Sequence, residues 1–387
     1  MMWKSVLQQL TRDHLLRELS VIDSTCGPIM SLNGQDILLF ASNDYLGLAN
    51  HPHLKLAACK AIDQFGVGAG ASRLVSGTLR PHHELELALA QFFQEDAALA
   101  LSSGYATNIG IIPNLITPEG LILADRLCHA SLIDGCRLSR ASLRVFDHND
   151  MDHLKVLLAK RPRNRPTLIV TEGVFSMDGD LAPLAELAHL AKEYDATLLI
   201  DDAHGTGVMG PTGRGTLEHF GVKSANIIHM GTLSKALGTS GGFITGTNDF
   251  IDYAINTARS FIYSTAPPPA IAAAAHAALG VILQEPERRT RLWRNREYMY
   301  QGLRGMGCHL TNTESPILPI IVNHPELAMK MSLELRQKGL FIPAIRPPTV
   351  PKGTSRLRIT VTAEHSTAQI DSSLAAIQHV GQSLRLL

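Results

Sequence analysis

The sequence predicts an α/β protein in which a mainly parallel sheet lies between layers of helices, followed by a smaller C-terminal α+β domain. Short apolar runs recur between residues 97 and 245, for the most part roughly 22–30 residues apart, which leaves room for a helix between most of them. The segment 182–195 has apolar residues at helical spacing between two of these runs. Runs that are apolar on both faces and alternate with helices are typical of a parallel sheet covered on both sides. The runs begin at Ala97, Leu121, Leu143, Thr167, Thr197, Asn226 and Gly242.

Further elements are expected on both sides of these runs. Upstream we predict an amphipathic segment over 3–19, a strand over 36–40, a helix over 53–65, a Gly/Ser-rich loop over 66–81 and a helix over 84–96. Downstream we predict helices over 267–283 and 292–307 and strands over 317–322 and 356–362. The chain then divides into an N-terminal helix and arm (1–45), a large ligand-binding domain (46–283) and a small C-terminal domain (284–387).

Composition excludes several classes of protein. Lys+Arg and Asp+Glu are equal at 35 each, so no basic excess attracts nucleic acid. The longest apolar stretch, over 270–283, has 14 residues, which is short of the ~20 that cross a bilayer. The N-terminal segment carries Asp13 and Glu18 and lacks the apolar core of a secretion signal. Five scattered cysteines without a C-x-x-C pair, and no H-x-x-x-H pair on a predicted helix, predict a cytoplasmic protein without disulfides or a metal site.

One glycine-rich loop resembles a nucleotide-binding fingerprint. Residues 205–210 read G-T-G-V-M-G directly after an apolar run. A dinucleotide fingerprint must open a helix whose N-terminus meets the pyrophosphate, but Pro211, Gly213 and Gly215 follow and no helix is expected there. A nicotinamide-dependent dehydrogenase is therefore an alternative that requires this loop to begin a helix.

Polar residues just after the apolar runs are the first candidates for chemistry, because ligands of such sheets bind at the carboxyl ends of the strands. Lys235 follows the run at Asn226, and a lysine amine partly removed from water can form an imine with an aldehyde. A solvated surface lysine is the alternative. Asp201 ends the run TLLID, where a carboxylate needs a partner such as a pyridinium nitrogen. His204 is placed to reach the same ligand, whereas Asp202 is expected to cap a turn.

Two further positions complete this set. The loop LSSGYATNIG, over 101–110, leads into a helix whose N–H groups and dipole favour a phosphate. An ordinary strand-to-helix turn is the alternative. His129 follows another strand end, where a flat imidazole could stack on a planar ligand, although a lone histidine is more often structural. An amine, a pyridinium partner, a stacking ring and a phosphate seat together match pyridoxal phosphate.

At these positions the sequence resembles the α-oxoamine synthases, which are pyridoxal-phosphate enzymes of the aspartate aminotransferase fold type (fold type I). The resemblance covers essentially the whole chain. It implies an α/β large domain, a smaller C-terminal domain and pyridoxal phosphate as the cofactor. The motifs that carry it are, in order, FASNDYLGLANHP, GAGASRLVSGT, LSSGYATN, DRLCHASLIDG, TEGVFSMDGDLAPL, DDAHGTGVMG, GTLSKALG, FIYSTAPPP and RLRIT.

For the cofactor, the resemblance implies that Lys235 holds it covalently and later shuttles a proton. Asp201 would keep the ring nitrogen protonated, and His204 would hydrogen-bond the ring hydroxyl oxygen. His129, which also belongs to the implied substrate site, would stack on the ring face. The remaining implied cofactor contacts are Gly104, Tyr105, Ser176 and Thr232.

For the substrates, the resemblance implies that Arg358 and Asn43 bind the carboxylate of an amino acid. Thr349 in the segment AIRPPTVP (344–351) would contact the acyl substrate. Arg17 would face a dicarboxylic acyl chain, and a solvated helix residue is the alternative for it.

Within the family, the segment 344–351 and the short N-terminus resemble the member that makes a biotin precursor. That enzyme joins L-alanine to a pimeloyl thioester of coenzyme A or acyl carrier protein and releases carbon dioxide and the thiol carrier. The alternatives are a sister enzyme such as glycine C-acetyltransferase and a non-catalytic relative that keeps the cofactor. Because the sites of the family are built between two subunits, the resemblance also implies a homodimer in which Ser264 or Thr265 touches phosphate across the dimer.

Overall fold

A computed structural model describes residues 2–13, 15–17, 19–162, 164–224 and 226–387. The chain forms two compact units. The sheet unit comprises residues 48–176 and 181–289, and the terminal unit comprises residues 1–47, 177–180 and 290–387. The three-part domain division at 45/46 and 283/284 stays a prediction.

The strands give the chain its α/β character. Along the described residues they are β1 (Ile29–Leu32), β2 (Gln35–Leu39), β3 (Ala97–Leu101), β4 (Leu121–Asp125), β5 (Ser142–Phe146), β6 (Thr167–Glu172), β7 (Thr197–Asp201), β8 (Ile227–Thr232), β9 (Gly242–Gly246), β10 (Ile317–Asn323), β11 (Leu340–Phe341), β12 (Ala344–Ile345) and β13 (Ser355–Thr360).

The sheet unit is built on one central sheet with the strand order β3-β9-β8-β7-β6-β4-β5. β9 runs antiparallel to both of its neighbours, β3 and β8. The pairs from β8 to β5 are all parallel. Each of the seven predicted apolar runs forms a strand of this sheet, so the predicted mainly parallel fold is confirmed.

Helices lie between most of these strands. Along the described residues they are α1 (Met2–Arg12), α2 (Pro52–Phe65), α3 (Arg80–Phe93), α4 (Gly104–Ile111), α5 (Ala130–Leu138), α6 (Met151–Ala159), α7 (Leu184–Glu193), α8 (Thr216–Phe220), α9 (Asn248–Thr257), α10 (Arg259–Ile262), α11 (Pro269–Gln284), α12 (Glu287–Gly305), α13 (Pro325–Gln337) and α14 (Thr367–Ser383). Within the described part of the chain, no helix is long and apolar enough to cross a membrane.

Apolar side chains cover both faces of the central sheet. On one face, Leu123 of β4 packs in a cluster with Leu154 of α6 and Leu187 of α7. On the other face, the adjacent Ile122 packs in a cluster with Leu132 of α5. Successive residues of a strand point to opposite faces, so a strand covered on both sides is apolar at every position. Polar residues therefore appear where these strands end.

The terminal unit contains two small sheets. β2 pairs antiparallel with β1 and parallel with β11. β13 lies between β10 and β12 and is antiparallel to both. With α13 and α14, these strands confirm the α+β character that was predicted for the C-terminal part of the chain.

Two helix boundaries differ from the prediction for reasons of backbone hydrogen bonding. In the amphipathic segment, α1 ends at Arg12, because the N–H groups of Leu15 and Leu16 both donate to the carbonyl of Leu10 and close the helix. The predicted loop over 66–81 contains a π-helical turn at Arg73–Gly77, and α3 already begins at Arg80 with a proline in its first turn.

Candidate active site

Three buried polar residues end neighbouring strands at the carboxyl edge of the central sheet. Glu172 ends β6, Asp201 ends β7 and Thr232 ends β8. Glu172 and Asp201 are register partners in the parallel β6–β7 pair, so their side chains leave the sheet on the same face. Two carboxyl groups therefore meet at the edge where ligands of parallel sheets bind.

Two hydrogen bonds fix the carboxylate of Asp201. The Nδ2 atom of Asn108 in α4 donates to Oδ2 at 2.8 Å, and the backbone N–H of Ala203 donates to Oδ1 at 3.0 Å. A buried carboxylate is costly unless such donors and a cationic partner compensate for lost water. These two donors hold the carboxylate of Asp201 in one orientation at the sheet edge.

Glu172 is a site residue that the sequence analysis missed. Its Oε1 accepts the backbone N–H of His129 at 2.6 Å, and the backbone N–H of Ser176 also hydrogen-bonds it. Burial, followed by the neighbouring charge of Asp201, raises the pKa of Glu172 from 4.5 to about 8. This carboxyl therefore holds its proton more tightly than an exposed glutamate does, so a second negative charge beside Asp201 is disfavoured. The sequence pattern that singled out Asp201, a carboxylate at the end of an apolar run, also applies to Glu172. Glu172 ends the run TLIVTE as Asp201 ends TLLID.

His129 is held as a neutral imidazole at the N-terminus of α5. Its Nδ1 accepts from the backbone N–H of Ser131 at 3.2 Å and lies 2.8 Å from the Oγ of the same serine. Burial lowers the pKa of His129; the charge of Asp201 opposes this shift and that of Lys235 adds to it. Because Nδ1 is an acceptor, the ring proton is assigned to Nε2.

Lys235 lies in the turn after β8 and is half-buried. Its charge acts on the pKa values of both His129 and Glu172, so the ammonium lies beside this cluster. The predicted partners Lys235, Asp201 and His129 are therefore brought together, although they are far apart in the sequence.

The predicted phosphate seat is the N-terminus of α4, which begins at Gly104 directly after β3. Ser103 caps the helix by accepting the N–H of Ala106 on its Oγ at 3.0 Å, so the N–H groups of Gly104 and Tyr105 have no partner within the helix. A Cβ placed on Gly104 would lie 3.6 Å from Oγ1 of Thr232, so the hydroxyl of β8 adjoins this helix end. The Tyr105 hydroxyl donates to Asp134 at 2.5 Å.

The remaining predicted cofactor residues also lie in the sheet unit. His204 is buried in the turn that follows β7, and Ser176 follows β6. Thr265, in the segment that contains Ser264, is exposed and forms an isolated antiparallel bridge with Ser72.

The glycine-rich loop 205–210 does not open a helix. α8 begins only at Thr216, and the turn before it contains glycines with positive φ, including Gly207 and Gly210. Asp202 accepts the backbone N–H and the hydroxyl of Thr216 at 2.7 and 2.9 Å, so its predicted capping role is confirmed. The condition for a dinucleotide fingerprint is not met.

In the terminal unit, Arg358 and Asn43 lie together as expected. Both terminal nitrogens of Arg358 donate to Oδ1 of Asn43 at 3.3 Å, and the Tyr45 hydroxyl donates to the same atom at 3.4 Å. Arg358 is buried on β13. A buried guanidinium that hydrogen-bonds a neutral amide carries a net positive charge, which suits a carboxylate ligand.

Arg17 and Thr349 line a small cavity of about 100 Å³ in the terminal unit. Arg346, which the sequence analysis did not single out, lines it as well. Burial lowers the pKa of Arg346, and the positive charge of Arg17 adds to this shift. Two guanidinium groups that repel each other across a cavity favour an anionic occupant.

A larger cavity, of about 630 Å³, lies elsewhere in the sheet unit. It contacts Ile227 and His229 near the start of β8, whereas Thr232 ends that strand. None of the predicted cofactor residues lines it. Cavity size alone therefore does not locate the site.

The residues at the carboxyl edge fit pyridoxal phosphate. They provide a half-buried amine, an oriented buried carboxylate, a neutral imidazole and a helix N-terminus beside a hydroxyl. Backbone packing at the helix N-terminus is close, because a Cβ on Gly242 would lie 2.7 Å from Cα of Gly104. Glycines at these two positions let the end of α4 lie directly against the sheet.

Comparisons with known proteins agree with this arrangement. A family model described as aminotransferase class I and II matches residues 35–377. The 8-amino-7-oxononanoate synthase 1 of Bacillus subtilis is 42% identical over 384 residues, which cover 99% of this chain and 98% of that protein. The 8-amino-7-oxononanoate synthase of Geotalea daltonii is 46% identical over 381 residues, covering 98% of this chain and 97% of that protein.

Solved structures are similar over most or all of the chain. The serine palmitoyltransferase of S. paucimobilis, solved with a bound pyridoxal phosphate adduct, has a TM-score of 0.95 and 33% identity, covering 100% of this chain and 98% of that one. The 8-amino-7-oxononanoate synthase of Francisella tularensis has a TM-score of 0.78 and 30% identity, covering 90% of this chain and 98% of that one. The chain therefore belongs to the aminotransferase class I and II family and, within it, to the α-oxoamine synthases whose motifs it carries.

Proposed function

We propose that this chain is a pyridoxal-phosphate-dependent acyltransferase that condenses L-alanine with a pimeloyl thioester. The products are 8-amino-7-oxononanoate, carbon dioxide and the free thiol carrier, in an early step of biotin biosynthesis. The observation that carries the proposal is the cluster of Lys235, Asp201 and His129 in a chain whose full-length relatives, at 41–46% identity, are 8-amino-7-oxononanoate synthases.

Bound pyridoxal phosphate supplies an electron sink for the electron pair left at the α-carbon of the amino acid. Asp201 would keep the ring nitrogen protonated, and Glu172 beside it, whose pKa is raised, would add no second negative charge. His129 would stack on the ring face as a neutral imidazole, and His204 would hydrogen-bond the ring hydroxyl oxygen. The N–H groups of Gly104 and Tyr105, with the Thr232 hydroxyl, would bind the phosphate, and Ser176 would line the cofactor site.

Lys235 has two roles in this proposal. Its Nζ would hold the cofactor covalently, and its amine would take up the α-proton of the amino acid and later return a proton to the product. Its half-buried position beside His129 and Glu172 places the amine at the cluster where both tasks would take place.

The substrate contacts that we propose lie in the terminal unit. Arg358, with Asn43 beside it, binds the carboxylate of the amino acid. The cavity of Arg17, Arg346 and Thr349 binds the far carboxylate of the pimeloyl chain, because two guanidinium groups there favour an anion.

We also propose that the enzyme is a cytoplasmic homodimer. The π-helical turn carries Leu74 and Val75, which are 52% and 80% exposed, and adjacent exposed apolar residues are typical of an interface. Ser264 or Thr265 would then touch the phosphate bound to the partner subunit. A cytoplasmic location is supported by the five cysteines, which are all free.

Serine palmitoyltransferase activity is the second candidate. It is favoured by the TM-score of 0.95 with that enzyme, compared with 0.78 for the 8-amino-7-oxononanoate synthase structure. The reaction would be the same condensation with L-serine and a long, uncharged acyl chain. A cavity with two guanidinium groups suits that chain less well than a dicarboxylic one.

The deciding experiment measures thiol release from pimeloyl-coenzyme A and from palmitoyl-coenzyme A, each with L-alanine, glycine and L-serine. We expect release only from pimeloyl-coenzyme A with L-alanine. Release from palmitoyl-coenzyme A with L-serine would establish the second candidate instead. If the yellow, cofactor-bound protein is inactive with every coenzyme A thioester, the same assay with pimeloyl-acyl carrier protein decides whether the carrier was wrong or the function is.

A further inference from the structure

Asn108 lies one helical turn beyond the phosphate seat of α4 and is almost completely buried. Its Nδ2 atom makes two hydrogen bonds, one to Oδ2 of Asp201 at 2.8 Å and one to Oγ of Ser131 at 2.9 Å. An amide nitrogen has two hydrogens, so both bonds can form at once. One side chain thus contacts the carboxylate that faces the cofactor ring nitrogen and the serine that contacts His129.

The donors and acceptors in the hydrogen bonds that link Asn108, Ser131 and His129 can be assigned. Because Oγ of Ser131 accepts from Asn108, its own hydrogen is directed to Nδ1 of His129, 2.8 Å away. Nδ1 also accepts the backbone N–H of Ser131. The chain Asn108–Ser131–His129 therefore fixes the ring orientation and leaves the ring proton on Nε2.

The amide of Asn108 is also fixed in one orientation. Its Oδ1 is buried and has no hydrogen-bond partner among the described residues. Rotation of the amide would bring this oxygen against the carboxylate oxygen of Asp201 and would remove the N–H donor from that carboxylate. The unsatisfied Oδ1 destabilises the folded protein, and the two hydrogen bonds from Nδ2 of Asn108 offset this loss.

We propose that Asn108 is a positioning residue that couples three parts of the cofactor site: it ties the phosphate-binding helix to the carboxylate at the ring nitrogen and to the histidine at the ring face. The proposal rests on the cofactor roles given above for Asp201 and His129. Its function is to hold these two side chains in one geometry relative to α4, so that the site is formed before the cofactor binds.

The test is the affinity of the full-length, cofactor-free protein for pyridoxal phosphate, followed by the visible absorbance of the bound cofactor. Asn108→Leu removes both donors while nearly keeping the volume. Because Asn108→Leu loses a hydrogen bond to a charged group, we expect it to bind pyridoxal phosphate about 10- to 100-fold more weakly. Asn114→Leu is the matched control, because Asn114 in the next turn donates only to the backbone carbonyls of Gly110 and Thr257. It should bind the cofactor as the unaltered chain does.

The pH dependence of cofactor affinity in Asn108→Asp distinguishes a positioning role from a merely structural one. A protonated carboxyl at 108 can still donate to Asp201, whereas an ionised one repels it. Cofactor affinity relative to the unaltered chain should therefore fall steeply between pH 6 and pH 9, while the ratio for Asn108→Leu stays constant. At each pH the cofactor affinity of a variant is divided by that of the unaltered chain. This division removes the pH dependence that all variants share through Asp201, Glu172, His129 and Lys235, which face the same cluster.

Three results separate the outcomes. If the unaltered chain itself does not bind pyridoxal phosphate, the proposed function fails before this inference is reached. If it binds and Asn108→Leu binds within twofold of the Asn114→Leu control, Asn108 does not position the site. If Asn108→Leu does not fold, the nearly isosteric Asn108→Asp decides alone, and an affinity ratio that does not depend on pH would overturn the inference.

Discussion

At the scale of single residues, the site depends on how charges are distributed among buried groups. Asp201 and Glu172 end adjacent strands, and burial together with the charge of Asp201 raises the pKa of Glu172 to about 8. Asp201 has an oriented amide donor, whereas Glu172 accepts backbone N–H groups and lies beside an existing negative charge. Two neighbouring carboxyl groups with different environments can thus hold one proton and one charge.

The first prediction concerns Lys235. Lys235→Ala should lower turnover by at least about 1,000-fold, because the covalent anchor and the proton acceptor are the same amine. Thiol release with L-alanine measures the loss, and circular dichroism checks the fold. Lys223→Ala, an exposed lysine of the same unit, is the control and should keep full activity. Substantial turnover by the Lys235 variant would refute the proposed chemistry.

The second prediction concerns the pH dependence of stability in the cofactor-free protein. The folded-state pKa of Glu172 is raised from 4.5 to about 8, so its contribution to stability is present at low pH and is lost as the pH rises through this range. Each unit of pKa difference corresponds to roughly 1.4 kcal/mol. The free energy of unfolding should thus fall between pH 5 and 8 in the unaltered chain and fall much less in Glu172→Gln.

Denaturant unfolding at pH 5, 6, 7 and 8 measures this difference. The glutamine keeps an oxygen that can accept the N–H of His129, so the fold should be retained. Glu186→Gln, on the exposed face of α7, is the control and should follow the unaltered chain. Parallel stability curves for Glu172→Gln and the unaltered chain would show that Glu172 does not titrate in this window.

At the scale of elements, the position of α4 is set by backbone contact with the central sheet. A Cβ on Gly242 of β9 would lie 2.7 and 2.8 Å from Cα and N of Gly104, distances that backbone atoms cannot accommodate without a shift. The phosphate seat at the N-terminus of this helix therefore depends on a glycine in a different strand.

The third prediction follows from that contact. Gly242→Ala should displace the N-terminus of α4, weaken pyridoxal phosphate binding and lower stability by about 1–3 kcal/mol. Gly280→Ala in α11 is the matched control, since a Cβ there meets nothing within 4 Å and should stabilise the helix by about 0.5–1 kcal/mol. Cofactor titration and thermal unfolding of both variants measure these effects. Unchanged cofactor affinity in Gly242→Ala would contradict the role of this contact.

The fourth prediction concerns the cavity formed by the loop after β12. Arg17→Ala and Arg346→Ala should each raise the KM for pimeloyl-coenzyme A, by about fivefold for the exposed Arg17 and by more for the half-buried Arg346. The value of kcat should change little, because neither residue contacts the reacting carbon in this proposal. Arg12→Ala, on the exposed face of α1, should have no effect.

A thioester without the terminal carboxylate tells which anion these arginines bind. With heptanoyl-coenzyme A, the two variants should differ little from the unaltered chain. An equal loss with both thioesters would mean that the guanidinium groups contact the coenzyme A phosphates and not the acyl carboxylate.

At the scale of the whole molecule, the fifth prediction is the homodimer. The native mass in solution should be twice the chain mass of 42.0 kDa. Val75→Glu should give a folded monomer, because Val75 is 80% exposed within one chain and a charge in an apolar interface is costly. Leu283→Glu, at a residue that is 54% exposed on α11, is the control and should stay dimeric. A monomeric unaltered chain would exclude a site shared between subunits.

The sequence by itself determined the fold class and the reactive groups of the site. Seven apolar runs became the seven strands of the central sheet, because burial on both faces requires apolar residues at every position. Lys235, Asp201 and His129 could be picked out because each ends or follows such a run. The motif resemblance supplied the cofactor roles of Ser176 and Thr232, which no local pattern singles out, and the specific role of His204 at the ring hydroxyl oxygen.

Only the tertiary structure decided how these groups are supported and charged. Asn108 is an ordinary polar helix residue until folding brings it within 2.8 Å of Asp201, which lies 93 positions away in the chain. Glu172 ends an apolar run, but its raised pKa depends on burial and on the charge of Asp201. Arg346 lines the cavity with Arg17, which lies far from it in the sequence. Burial and nearby charge determine a pKa and an anion preference, and both depend on the folded arrangement of distant segments rather than on local sequence.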